Sequence, residues 1–178
     1  MEFQDSDSKT PDEESAPEID QMKMQMFMQQ IKDNQNLSMG ILAGAGAAAL
    51  GAAIWAVVTA ATGWQIGFLA IGVGYLVGYA VRMFGNGVDT SFGIAGATLS
   101  LLGCVAGNLL TVCIFIGQEQ GIEVMDILSQ LDFAIATELI VDTSGPMDLL
   151  FYGFAAYYGY KNSIRQISKE EMATLVRP

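Results

Sequence analysis

Residues 34–81 read NQNLSMGILAGAGAAALGAAIWAVVTAATGWQIGFLAIGVGYLVGYAV, a run of 48 positions without a charged side chain. An uncharged, mostly apolar stretch of about 18 or more residues is a candidate transmembrane helix, and this run is too long for a single span. It is interrupted at residues 62–65 by TGWQ, a polar turn whose tryptophan suits a membrane interface. We therefore predict a hairpin of two spans, at about 39–61 and 66–83.

A second uncharged run covers residues 90–118 and predicts a third span at about 93–116, after a Gly-Asn-Gly turn. A fourth span is predicted at about 146–166. Pro146 suits the first turn of a helix, and Asp148 suits the positive end of its dipole. Only 12 uncharged residues follow Asp148, so a re-entrant or surface helix is the alternative.

The basic residues all fall on or beside one side of this four-span topology. That side comprises residues 1–38, 84–92 and 161–178. The opposite side receives residues 62–65 and the acidic loop 117–145. By the positive-inside rule, we expect a multi-pass protein of the cell (inner) membrane with both termini in the cytoplasm. Arg82, at the end of the second span, is expected to snorkel or to pair with Asp89.

Composition argues against several classes of enzyme. Only 15% of residues are charged, against about 25% in soluble domains, and the net charge is −11. The chain has no histidine, which removes histidine bases, histidine metal sites and Ser-His or Cys-His pairs. No phosphate-binding loop and no basic patch for nucleic acid is present. We predict a non-enzymatic protein without a cofactor or metal site.

The two cysteines, Cys104 and Cys113, lie nine residues apart in the third predicted span. This spacing puts them on opposite faces of one helix and excludes a bridge within it. We interpret both as small buried apolar residues.

Three segments lie outside the predicted spans on the cytoplasmic side. Residues 1–20, with eight acids and one base, are expected to form a disordered tail, and the functional alternative is a contact for a basic partner. Residues 21–38 form a methionine-rich amphipathic helix, and residues 167–178 form the C-terminal tail. Alternating methionines can suggest a copper site. Phe27 and Ile31 favour an interfacial or partner-packing helix instead.

The acidic loop contains a predicted external amphipathic helix at about 121–141. Its apolar positions recur at helical spacing. These positions are Val124, Ile127, Leu128, Leu131, Ile135 and Leu139. The acids beside this stripe form a solvated face or, alternatively, attract cations.

Small residues recur every four positions in the predicted spans, a pattern that lets helices approach closely in lipid. The glycines predicted to pack helices are Gly40, Gly44, Gly74, Gly78, Gly96, Gly103 and Gly107. The third span carries two such faces, so we expect it to lie centrally. The density of small residues also suggests a homo-oligomer.

Asn108 is the strongest polar side chain near the middle of the membrane. It either makes an interhelical hydrogen bond or, with Thr111 and Ser100, lines a pore or substrate path.

Several quoted segments resemble a group of uncharacterised small bacterial multi-pass membrane proteins. They are IGVGYLVGYAVR at 71–82, GNG at 85–87, FGIAG at 92–96, LGCVAGNLL at 102–110, DLLFYG at 148–153 and GYK at 159–161. The resemblance covers about 66–165 and implies a location in the bacterial cell membrane. It implies no activity and no catalytic residues.

These observations predict an all-α polytopic membrane protein with four transmembrane helices and an external amphipathic helix. The expected function is that of an oligomeric scaffold or partner subunit in the lipid bilayer. Residues 1–33 are the expected contact for a cytoplasmic protein partner. The alternative is a small oligomeric ion channel or permeability factor.

Overall fold

The computed structural model of the chain describes residues 21–64, 67–167 and 171, and every regular element in these residues is an α-helix. The helices are α1 Gln21–Asp33, α2 Leu37–Thr62, α3 Phe68–Gly85, α4 Thr90–Gln120, α5 Val124–Ser129, α6 Phe133–Thr143 and α7 Pro146–Ser163. The expectation of an all-helical protein is confirmed. The acidic tail 1–20 and most of the C-terminal tail lie outside the described residues.

The three predicted spans of the charge-free runs correspond to α2, α3 and α4, which are long and apolar enough to cross a membrane. The chain thus has three helices of the length and composition expected of a helical membrane protein. At a rise of 1.5 Å per residue, the 26 residues of α2 extend about 39 Å and the 31 residues of α4 about 46 Å. The 18 residues of α3 extend about 27 Å.

The fourth predicted segment forms α7, which also has 18 residues. Pro146 occupies its first turn, and the Asp148 carboxylate accepts a hydrogen bond from the Gly145 amide at 2.9 Å. The helix ends at Ser163, three residues before the predicted end. α7 is not among the helices apolar enough to cross a membrane by composition, because it contains two charges and four tyrosines.

α2, α3, α4 and α7 pack side by side, with α3 and α4 in the middle and α2 and α7 on either side of them. The central position predicted for the third span agrees with that of α4. Along α3, the inward face consists of valines four residues apart. Val73, Val77 and Val81 are all buried.

At one end of this bundle, α2 and α4 begin and α3 and α7 end; this end is called the basic end. Asn36 caps α2 by accepting from the Met39 amide at 3.0 Å, and the Asn36 amide donates to Gly85 O at 2.9 Å. Asn86 takes a left-handed conformation (φ 49°) that ends α3. Because α1 ends at Asp33 and α2 starts anew, the predicted helix 21–38 is shorter than expected.

The acidic end is the opposite one, where α5 and α6 pack against the end of α4. The structure differs here from the single helix predicted for 121–141. α5 stops at Ser129, and the Asp132 carboxylate caps a new helix by accepting from the Ile135 amide at 2.8 Å. An aspartate is a strong N-cap, so it interrupts a helix where the apolar period alone would continue it.

By contacts the chain divides into two units, residues 31–166 and a smaller unit that contains residues 21–30. In α1, Met22 and Met26 are exposed, at 69% and 59%. Met24, Phe27 and Met28 are partly buried and share one helix face.

Candidate functional site

Glycines on two faces of α4 bring its backbone against α2 and α7. A Cβ placed on Gly103 would lie 3.2 Å from Ala48 Cβ, and one on Gly107 would lie 3.2 Å from Trp55 Cβ. On the other face, a Cβ on Gly96 would meet Ser163 Cβ at 2.8 Å. The small residues of α4 are therefore in contact with both neighbours within one chain.

The remaining predicted packing glycines lie at the other helix interfaces. A Cβ on Gly74 would be 2.8 Å from Ala155 Cα, so α3 and α7 meet backbone to backbone there. Gly78 lies against Gly159 and Asn162 of α7. Gly40 and Gly44 both lie against Val81 of α3. All seven glycines thus pack helices of the same protomer, and none of these contacts requires a second copy.

The three candidate pore residues are buried, with exposures of 0% for Ser100, 2% for Asn108 and 4% for Thr111. Ser100 Oγ donates to Gly96 O at 2.7 Å, and Thr111 Oγ1 donates to Gly107 O at 2.8 Å. Both hydroxyls are therefore satisfied by the preceding turn of α4. Ser100 is also eight residues, or about 12 Å of helix rise, from Asn108.

Asn108 makes the interhelical contact that the sequence predicted as one of its two roles. Its Nδ2 donates to Thr143 Oγ1 of α6 at 3.4 Å, a long bond, and Thr143 Oγ1 donates in turn to Leu139 O at 2.6 Å. Asn108 thus connects the buried side of α4 to the helix that covers it at the acidic end.

Near Asn108 the structure assembles a polar cluster, defined here as Trp55, Thr59, Asn108, Ser144 and Tyr152. Tyr152 interacts with Trp55, Ser144 and Asn108, and Thr59 lies one turn from Trp55 on α2. Two of its polar atoms, Trp55 Nε1 and Thr59 Oγ1, are buried without a hydrogen-bond partner, whereas the Tyr152 hydroxyl interacts with the side chains of Ser144 and Asn108. The Trp55 and Tyr152 rings meet edge to face, with centroids 6.5 Å apart. A buried polar group left unpaired costs about 1–3 kcal/mol, so Trp55 Nε1 and Thr59 Oγ1 each lower the stability of the fold.

Sequence reasoning found Asn108 but missed Trp55, Thr59 and Tyr152. The available signal was a tryptophan seven residues inside the end of α2, too deep for an interfacial role. The cluster combines indole, hydroxyl, amide and phenol groups, which are neutral hydrogen-bonding groups at neutral pH. In the described part of the chain, no group of three His, Cys, Asp or Glu side chains could hold a metal ion.

The expected Arg82–Asp89 pair does not form. Gln35 Nε2 donates instead to Asp89 Oδ2 at 2.6 Å, and the Arg82 guanidinium lies over the Tyr79 ring at 5.6 Å from its centroid. The αL turn at Asn86 separates the two predicted partners, and Gln35 approaches Asp89 because Asn36 is bonded to Gly85.

No protein-family profile matches this sequence, and neither the curated proteins nor the solved structures contain a significant match to it.

Proposed function

We propose that the chain is a non-enzymatic, multi-pass protein of a bacterial cell membrane that acts as an oligomeric scaffold or partner subunit. The outward face of α2 carries this proposal. Ala45, Ala49 and Ala53 lie four residues apart on that face and are exposed. Beside them, a Cβ placed on Gly46 would meet no atom within 4 Å.

This outward face has the composition of a helix interface but no partner helix within the described protomer. The large side chains that border it, Leu42 and Leu50, are 68% and 64% exposed. In lipid, association of helices is favoured by small residues that allow close van der Waals packing. The buried face of α2 uses the same device against α3 and α4, at Gly40, Gly44 and Ala48.

The proposed topology has four spans, α2, α3, α4 and α7, with both termini in the cytoplasm and α5 and α6 outside. Three observations support it. α7 equals α3 in length. It packs on α3 and α4 through glycine contacts. Arg82, Lys161 and Arg165 lie at or near the basic end. The seven acids of residues 119–148 lie in the last turn of α4, between α4 and α7, or in the first turn of α7.

Cysteine crosslinking in native membranes tests the oligomer. Ala49→Cys places a thiol on the outward face of α2, and Leu102→Cys places one on the exposed face of α4 as a matched control. We expect a crosslinked dimer from the first variant only, since the native cysteines are buried. Equal crosslinking of both variants, or monomer in both, would contradict the proposed interface.

The partner-subunit role is tested by affinity capture with the full chain and with residues 1–33 deleted. A defined cytoplasmic partner should be retained by the full chain and lost with the deletion. The exposed Met22 and Met26 offer apolar contacts for such a partner. Substituting both with Gln should weaken capture without affecting the crosslink at position 49.

The channel alternative depends on Ser100, Asn108 and Thr111. Within the described protomer these residues are enclosed between helices, which favours the scaffold. The deciding measurement is potassium flux into liposomes that hold the inserted protein. Flux that scales with protein and falls in Asn108→Leu would replace the scaffold proposal by a channel.

A further inference from the structure

A polar pocket of about 400 Å³ opens at the basic end, between the last turn of α3 and the segment that follows α7. Two arginines from separate parts of the chain, Arg82 and Arg165, line it. The other lining residues are Tyr79, Met83, Asn86 and Gln166. The pocket therefore brings together two guanidinium groups, two amides and a phenol.

The fold holds both arginines in place by different means. The Arg165 amide donates to Gly87 O at 2.8 Å, which fastens the segment after α7 to the turn between α3 and α4. Tyr79 and Arg82 lie three residues apart on one face of α3, and the guanidinium carbon is 5.6 Å from the ring centroid. This contact orients Arg82 while leaving its N–H groups able to donate.

The lining of the pocket is basic, with two arginines among its six residues, in a chain whose net charge is −11. None of its six lining residues is acidic. The acid nearest to Arg82 along the chain, Asp89, is bonded to Gln35 instead. Guanidinium groups match the geometry of phosphate oxygens and bind them with paired N–H donors.

We propose that this pocket binds a phosphate group, and that its ligand in the membrane is the phosphodiester head group of an anionic phospholipid. The pocket lies at the end of α3, a helix apolar enough to cross a membrane, where a spanning helix would leave the lipid tails and meet the head groups. Met83 in the lining and Phe84, the next residue, are 55% and 50% exposed and offer apolar contact to acyl chains. Basic pockets between helices at a membrane surface commonly bind such head groups. The inference is independent of the oligomer.

The test measures lipid binding to the full chain in a neutral detergent by native mass spectrometry. Phosphatidylglycerol, phosphatidylcholine and inorganic phosphate are titrated in separate arms. The variants are Arg82→Gln, Arg165→Gln and the double substitution. Lys161→Gln is the matched control, because it removes a positive charge near the same end of the bundle but outside the pocket.

We expect tighter binding of phosphatidylglycerol than of phosphatidylcholine, and an affinity about five-fold weaker for each arginine removed. Lys161→Gln should leave the affinity unchanged. Arg82→Lys, which keeps the charge but loses the forked donor, should fall in between and guards against misfolding of the glutamine variants.

Two other outcomes would overturn part or all of the proposal. If inorganic phosphate binds alone with the same arginine dependence, and phosphatidylglycerol does not displace it, the phosphate site stands and the lipid source is overturned. Equal phosphatidylglycerol affinity in the wild type and the double variant would overturn the site itself. Neither result alters the crosslinking expected at Ala49.

Discussion

Gly159 lies where α7 crosses α4, and its replacement by alanine tests whether the two helices are in contact. A Cβ at this position would lie 2.7 Å from Gly96 O and 2.9 Å from Ser100 Cβ. It would also overlap the Ser100 hydroxyl. One of these contacts is backbone and Ser100 is itself buried, so relief requires the helices to separate.

Gly153→Ala is the matched control, because a Cβ at Gly153 on the same helix meets no atom within 4 Å. Both substitutions gain the same helix propensity, at most about 1 kcal/mol, so this gain cancels in their difference. What remains is the cost of overpacking, about 1–3 kcal/mol. Gly159→Ala should therefore be less stable than Gly153→Ala by this amount.

The measurement is unfolding of the purified protein by a denaturing detergent added to mixed micelles, followed by helical circular dichroism. The midpoint for Gly159→Ala should fall below that for Gly153→Ala. Equal midpoints would refute the close packing of α7 on α4 and, with it, the support for a fourth span.

Two further pairs of substitutions test individual hydrogen bonds. Thr59→Val removes a buried hydroxyl without a partner and should raise the free energy of unfolding by about 1 kcal/mol. Thr111→Val removes a hydrogen-bonded hydroxyl and should lower the free energy of unfolding by up to about 1 kcal/mol. Both are measured in the same detergent titration. The reverse order would mean that the Thr59 hydroxyl has a partner. Asp132→Ala removes the cap of α6, costing about 1 kcal/mol, and should speed amide exchange in α6. Asp126→Ala is the control and should leave amide exchange in α6 unchanged, because the backbone carbonyl of Asp126, and not its carboxylate, accepts the local hydrogen bonds. Equal effects of Asp132→Ala and Asp126→Ala on this exchange would argue against the cap.

The long helices could be predicted because charge is excluded from them almost completely. The run without charged side chains at residues 34–81, divided by the TGWQ turn, predicted the ends of α2 and α3 to within a few residues. The break between α5 and α6 was missed because the apolar period runs through it. Only the capping bond of Asp132, a feature of local geometry, divides the segment.

The candidate site could be predicted only in part, for a reason particular to apolar helices. In a soluble helix the polar face is the one exposed to water. In α2 both faces are apolar, so the hydrophobic pattern does not show which face packs against the other helices. The sequence therefore drew attention to Asn108, which is polar, but not to Trp55 or Thr59, whose burial depends on the rotation of α2. For the same reason, the sequence alone does not tell glycines that pack helices within one chain from glycines that pack two copies, and their density suggested an oligomer.

The unequal lengths of the helices also set how the protein meets a bilayer. The hydrocarbon layer is about 30 Å thick, so α2, at about 39 Å, overruns it, whereas α3 and α7, at about 27 Å, fall short. A helix that is too long tilts or thickens the lipid beside it, and one that is too short thins the lipid, at a cost of fractions of a kcal/mol per ångström. Pairing two copies through α2 would hide the long flank from lipid. If two copies pair through α2 as proposed, thin membranes should favour the pair and thick membranes should release it.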